Sequence, residues 1–191
     1  MISFIDVLNQ DSENSAKEIE HLKQKISTQF LKKGFVLQQA GESASKVCFV
    51  KKGLLRSYTI DNKGKEHIFM FAPEGWIIAD GADLDAPNDL FIDTLEDSQV
   101  EIIDKKVFSE VFIPLTIRSD KQRTISLIRR ISVLQKRVMM LMSASALERY
   151  EHFTKTYPQI IQRVPQKMIA SYLGITPEAL SKVKGDQTRG K

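Results

Sequence analysis

The hydrophobic residues of this 191-residue chain change their period once. Up to Ile103 they fall in short β-rich runs at residues 34–37, 46–50, 54–60, 66–71, 91–95 and 99–103, separated by turn residues. Beyond Pro114 they recur every three or four positions for about 30 residues, which is the helical period. A chain that places its strands first and its helices after them is predicted to be α+β. Between two of the runs, Asp61-Asn62-Lys63-Gly64-Lys65 reads as a hairpin turn, because Asn and Gly tolerate positive φ; Lys51-Lys52-Gly53 marks another. Short strands with regular turn signals predict an antiparallel β-roll, a double-stranded β-helix or jelly roll. Ahead of it, Ile19, Leu22 and Ile26 lie on one stripe and predict a helix over residues 11–30.

Steps of seven through the long helical region run Thr124, Ile131, Val138, Ser145 and Leu127, Leu134, Leu141, Glu148. The central positions alternate β-branched residues with Leu, a combination that favours two parallel strands. Leu127, Ile131, Leu134, Val138 and Leu141 are therefore the expected homodimer seam. Ile125, Ile128, Met139 and Met142 lie off it and are expected to pack back onto the β-roll. The alternative is a core helix buried in its own chain. Two apolar stripes with Arg129, Arg130, Lys136 and Arg137 between them fit a dimer helix better. Residues 146–157 form a further helical stretch, stopped by Pro158.

Residues 164–184 meet each constraint of a helix-turn-helix. Residues 166–173 supply a first helix, with small Ala170 where a second helix must cross closely. Gly174 stands where a left-handed conformation suits glycine, and Ile175 plugs the turn. Thr176 is a natural N-cap, and Pro177 belongs at the first helical position. Ile169, Leu173, Ile175, Leu180 and Val183 can then form one small core. Glu178, Ser181 and Lys182 share the opposite face, the one a recognition helix presents to the major groove. Glu178 can accept from a cytosine amino group and Lys182 can donate to guanine, while Ser181 serves either way. An ordinary helical hairpin is the plainer reading of the same spacing.

The net charge of +4 conceals a division that supports a polyanionic partner. Residues 1–117 hold 13 Lys and Arg against 19 Asp and Glu; residues 118–191 hold 15 against 5. An acidic front and a basic rear predict two jobs, the rear meeting nucleic acid. No apolar run approaches the roughly 20 residues of a membrane span, and the first residues lack the pattern of a signal peptide. A single cysteine, Cys48, excludes an internal disulfide and a cysteine-based metal cluster. A cytoplasmic location is expected. His21, His67 and His152 lie in three segments, so a cupin-like enzyme with several barrel histidines is disfavoured. No nucleophile arrangement or phosphate-cradling glycine loop is present. No enzymatic activity, catalytic residue, metal site or cofactor is expected.

The order of these features resembles the Crp/Fnr family of regulators over nearly the whole chain. The roll carries Gly41-Glu42 and the hairpin Val50-Lys51-Lys52-Gly53-Leu54-Leu55-Arg56, and the long helix and terminal helix-turn-helix follow. Pro73-Glu74-Gly75-Trp76, Leu95-Glu96-Asp97-Ser98 and residues 169–178 are similar to a branch common in Bacteroidetes. The resemblance implies an effector domain over 1–115, a dimerisation helix over 116–145 and a DNA-binding domain over 146–191. It implies a homodimer on a two-fold operator in double-stranded DNA, a small-molecule effector in the roll, and RNA polymerase as a further partner. The family reads bases with Glu-x-x-Ser-Arg; Glu178, Ser181 and Lys182 match it with Lys for Arg, which weakens the bidentate fork to guanine.

Members that bind cyclic AMP carry a Gly-Glu pair and a phosphate-binding arginine. Here Ala79-Asp80 stands at the first site and Asn88-Asp89 at the second, with no arginine between Arg56 and Arg118. A phosphate without its charged partner loses about 2–5 kcal/mol, roughly 30- to 4,000-fold in affinity. Acidic Asp80, Asp83, Asp85, Asp89 and Asp93 make the region poor for an anion. The effector expected near Trp76, Ala79, Asp80, Asn88 and Asp89 is therefore not cyclic AMP. The family's iron–sulfur sensors need several cysteines, and a haem sensor here would have only Cys48 and His67 as ligands. Only residues 159–163 separate Pro158 from the motif and only seven residues follow Lys184, so the family's β-wing is expected to be reduced or absent, with phosphate contacts from Lys167, Lys184, Arg189 and Lys191 instead and Gln166 as a further DNA-binding residue. A shortened wing also admits a second function, an effector-sensing adaptor whose terminal domain binds a protein.

Overall fold

Strand β3 (Lys46–Lys52) carries four consecutive buried residues, Val47, Cys48, Phe49 and Val50. Successive side chains of a strand point to opposite faces, so such a strand must be covered on both. The computed structural model, which describes residues 3–9, 16–43, 46–80, 86–116 and 120–189, shows what covers it. Two four-stranded antiparallel sheets face each other. One has the order β1 (Ser27–Leu31), β8 (Ser98–Asp104), β3, β6 (Ile77–Ile78). The other has the order β2 (Val36–Gln38), β7 (Phe91–Thr94), β4 (Leu55–Ile60), β5 (Glu66–Ala72). Leu31, Cys48, Val50, Leu55, Ala72, Ile78, Ile92, Val100 and Ile102 form the core between them.

The other face of β3 and β8 is closed by helices. Phe4 of α1 (Phe4–Asn9), Leu22 of α2 (Ala16–Lys23) and Phe112 pack on Val47, Phe49 and Ile103. Phe112 ends a π-helical stretch, Phe108–Phe112, between the short helices α3 (Lys105–Val107) and α4 (Ile113–Thr116). Glu101 fixes this layer: it accepts from the Phe4 backbone N–H at 2.8 Å and pairs with Lys51 at 2.9 Å. The turn after β3 requires glycine, since Gly53 has φ 99° and an added Cβ would lie 2.8 Å from Ser98 Cα.

The predicted helix over 11–30 is corrected. Residues 10–15 lie outside the described set, α2 ends at Lys23, and Ser27–Leu31 is strand. β1 pairs with β8 from Ser27↔Ile102 to Leu31↔Ser98. Leu22 and Ile26 both reach the Phe4 cluster, so their helical spacing records a shared burial rather than an unbroken helix.

The chain divides into two units, Met1–Thr59 with Phe69–Arg123 and Ile60–Ile68 with Thr124–Lys191. The second unit contains most of α5 (Asp120–Ser143), then α6 (Ala146–Thr156), α7 (Gln166–Leu173) and α8 (Pro177–Arg189). A capping box starts α6: the Ser145 hydroxyl accepts from Glu148 N–H, and the Glu148 carboxylate accepts from Ser145 N–H at 2.7 Å. Tyr150, Phe153, Ile160, Val164, Ile169, Ala170, Leu173, Leu180 and Val183 are buried. On α5, Leu127, Ile131, Leu134, Val138 and Leu141 are all exposed in the single chain. Ile125, Ile128, Met139 and Met142 are exposed as well, which corrects the expectation that they are covered within their own chain. Seven-residue spacing shows which side chains share a stripe; it does not say what covers each stripe. No helix among the described residues is long and apolar enough to cross a membrane.

Candidate nucleic-acid interface and effector site

The turn between α7 and α8 forms as its residue types require. Gly174 is left-handed, at φ 67° and ψ 32°, and its N–H reaches the carbonyls of Ala170 and Ser171. The Ile175 N–H donates to Ala170 O at 3.0 Å. Thr176 accepts from the Ala179 N–H at 3.2 Å through its hydroxyl, which is the N-cap contact, and Pro177 opens α8. Ile169, Leu173, Leu180 and Val183 are buried beneath, and Ile175 is half-buried.

That packing leaves Glu178, Ser181 and Lys182 exposed together on α8. Gln166, Lys167 and Thr176 are also exposed, whereas Lys184 is half-buried and Lys191 lies outside the described residues. A hydrogen bond from its own backbone N–H, and then one with the Thr176 hydroxyl, holds the Glu178 carboxyl below its ordinary range. Glu178 is thus an ionised acceptor at the start of α8. Among the described residues no strand follows α8, which continues to Arg189.

Two residues that sequence reasoning passed over position this helix pair. The Arg149 guanidinium donates to Leu141 O at 2.8 Å, Ala144 O at 3.0 Å and Leu173 O at 3.1 Å. It therefore gathers carbonyls at the ends of α5 and α7, where helices leave acceptors unpaired. The Ser171 hydroxyl donates to Glu66 O at 2.8 Å and accepts from Ile68 N–H at 3.0 Å, so α7 borders the hairpin segment 60–68. Arg137 adds a 3.4 Å contact to Ile68 O and stacks on the Tyr172 ring at 4.4 Å. A cleft of about 390 Å³ lies between hairpin and helices, lined by Lys65, Lys167, Met168, Thr176 and Pro177 among others. The composition of a helix face carries no sign of a backbone partner more than a hundred residues away.

The hairpin tip is braced by Asp61, which accepts from Lys63 N–H at 2.9 Å and Lys65 N–H at 3.0 Å and pairs with His67 at 2.8 Å. The His67 hydrogen bond, followed by the backbone donors of Lys65 and Lys63, lowers the Asp61 carboxyl to about 2. Cys48 lies in the roll core, where burial pushes its thiol up to about 12.

Of the residues expected around the effector, Asp80 and Asn88 are buried, while Trp76, Ala79 and Asp89 are exposed. The Asp80 carboxylate accepts from Leu90 N–H at 2.6 Å and from the Gln38 amide at 3.3 Å. The backbone of Asn88 exchanges hydrogen bonds with Gly41 and Glu42, each 2.8 Å. Asp83 and Asp85 lie outside the described residues. Arg56, the single arginine of the first 117 residues, is bound bidentately by Asp93 at 2.8 and 2.9 Å. Arg56 also covers the Tyr58 ring at 4.0 Å. Arg56 pairs with Asp93 across β4 and β7, next to the pair Ser57↔Ile92. Because Ile92 points into the core, Arg56 points away from it.

Comparison with known proteins supports this architecture. Residues 28–113 match the family model of the cyclic nucleotide-binding domain. No curated protein matches the chain. Among solved structures, FixK2 from Bradyrhizobium japonicum is similar with a TM-score of 0.71 and 18% identity, covering 86% of each chain. The c-di-GMP-responsive global regulator CLP of Xanthomonas campestris has a TM-score of 0.68 and 14% identity, covering 92% of this chain and 93% of its own. A CRP/FNR-family transcriptional regulator from Thermus thermophilus has a TM-score of 0.65 and 16% identity, covering 86% of this chain and 87% of its own.

Proposed function

We propose that this chain, a cyclic nucleotide-binding domain followed by the helices of the Crp/Fnr fold, is a Crp/Fnr-type transcription regulator that binds DNA as a homodimer. In this reading residues 1–115 sense, 116–145 dimerise and 146–191 bind DNA in the cytoplasm. The observation that carries it is the exposure of Glu178, Ser181 and Lys182 on one face of α8, directly after a capped glycine turn, in the basic part of the chain. α8 enters the major groove; Glu178 accepts from cytosine, Lys182 donates to guanine and Ser181 adapts to either. Lys167, Lys184, Gln166 and Thr176 hold the phosphate backbone and set register, which gives affinity without sequence information. The exposed α5 stripe, Leu127 to Leu141, is the face a second copy covers, and two copies present paired recognition helices to a two-fold operator. The effector occupies the roll near Trp76, Ala79, Asp80, Asn88 and Asp89, and it is not cyclic AMP. CLP, which is similar in fold, is a c-di-GMP-responsive regulator, so this architecture admits different effectors.

A gel shift against DNA from upstream of the chain's own gene tests the reading. Binding should weaken steeply with salt. Ser181→Ala and Lys182→Ala should each lower discrimination between operator and random DNA by about 1–3 kcal/mol. Absence of binding at low salt would favour the adaptor function, and unchanged selectivity would mean that another face reads the bases.

A further inference from the structure

Gln38 and Ser57 sit on β2 and β4, on either side of β7, and both pair with Ile92. Ile92 belongs to the core between the sheets, so all three side chains share the inward face of the roll. Strands lie nearly 5 Å apart, which puts Gln38 and Ser57 about 10 Å apart across Ile92. Gln38 is 3% exposed and Ser57 1% exposed. The Gln38 amide nitrogen donates to Leu90 O at 3.0 Å and to Asp80 Oδ2 at 3.3 Å. Among the described residues, however, its Oε1 has no hydrogen-bond partner, and neither has Ser57 Oγ. Unpaired polar atoms this deep destabilise a core that leucine and alanine would fill without penalty, so each needs a reason.

We infer that Gln38 Oε1 and Ser57 Oγ, with Asp80 beside Gln38, recognise the effector, and that this effector is a small phosphate-free molecule, neutral or cationic, with N–H or O–H donors on two sides. The inference rests on the reading of the roll as an effector domain and adds the chemistry of what it holds. The groups on offer are an amide oxygen that only accepts, a hydroxyl, and beside the amide the carboxylate of buried Asp80. Among the described residues the buried cations are Arg56, held by Asp93 on the outer face, and Lys105, which opens α3 beyond the end of β8. A donor-bearing ligand would satisfy the unpaired acceptors. An anion would meet the Asp80 carboxylate with no cation to offset it.

Acetamidinium, acetamide and acetate test this in the full-length protein, since the three share a shape and differ in charge and donors. Each has four heavy atoms, and a ceiling of about −1.5 kcal/mol per atom keeps binding no tighter than roughly 40 μM. In ¹⁵N-labelled protein, acetamidinium and acetamide should shift the backbone amides of Gln38, Ser57, Asp80 and Ile92, and acetate should not. Ser57→Ala and Gln38→Met should each weaken that response roughly tenfold, the worth of one hydrogen bond. Ligand-free Ser57→Ala should melt at the same temperature as the parent or higher, because it deletes an unpaired hydroxyl. Three outcomes would overturn the inference: acetate binding as well as acetamidinium, none of the three shifting these amides, or a lowered melting temperature for Ser57→Ala. All of these readouts report the roll alone, so a failure of DNA binding in the gel shift leaves them intact.

Discussion

Arg56 illustrates how a single pairing decides what a fold can bind. Its guanidinium is the one arginine available to the roll, and it is held in two hydrogen bonds by Asp93, facing away from the core. Freeing it for a phosphate would leave Asp93 buried without its partner, which typically costs about 3–5 kcal/mol. We therefore expect isothermal titration with cyclic AMP to show no binding at micromolar concentrations; a micromolar dissociation constant would disprove the exclusion. The sequence showed that arginine was missing from the expected phosphate position. It did not show that Arg56 was already engaged, because Arg56 and Asp93 are 37 positions apart and meet only once β4 and β7 pair. Arg149 and Ser171 escaped notice for the same reason. Their partners are backbone carbonyls and N–H groups, which carry no residue identity to search for.

At the scale of the element, the hairpin segment 60–68 is held together by Asp61 and attached to α7 through Ser171. Asp61 titrates near 2 in the folded chain against an ordinary 3.8. A carboxyl lowered on folding stabilises above the unfolded value, and that contribution is lost as pH falls through the folded one. Asp61→Asn should therefore flatten the decline of melting temperature between about pH 4 and pH 2. Salt should shrink the difference, since the pair with His67 is exposed. A variant whose acid decline matches the parent's would show that the pair contributes nothing. The turn residues that close this hairpin were readable as such, because Asn62 and Gly64 act through local backbone preferences. So were the Gly174 turn and the Thr176 cap. The end of α2 was not, since strand β1 forms by pairing with β8, some seventy residues further along.

For the whole molecule the open question of the sequence was what covers α5. Leu134 is 51% exposed, midway along an uncovered stripe. Leu134→Asp should give monomers by sedimentation and should weaken operator binding at a two-fold site more than at a half-site. Persistent dimers would place the interface elsewhere. Local chemistry written in consecutive residues was enough to specify an α+β chain, a β-roll closed by glycine turns, a long helix and a capped helix pair, because periods, caps and turns act over a few residues. Long-range pairing settled the rest: that β1 is a strand, that Arg56 belongs to Asp93, that Ser171 borders the hairpin, and that Gln38 and Ser57 flank Ile92 inside the roll. Those contacts join residues far apart along the chain, and no local preference encodes which distant backbone or side chain will arrive beside them.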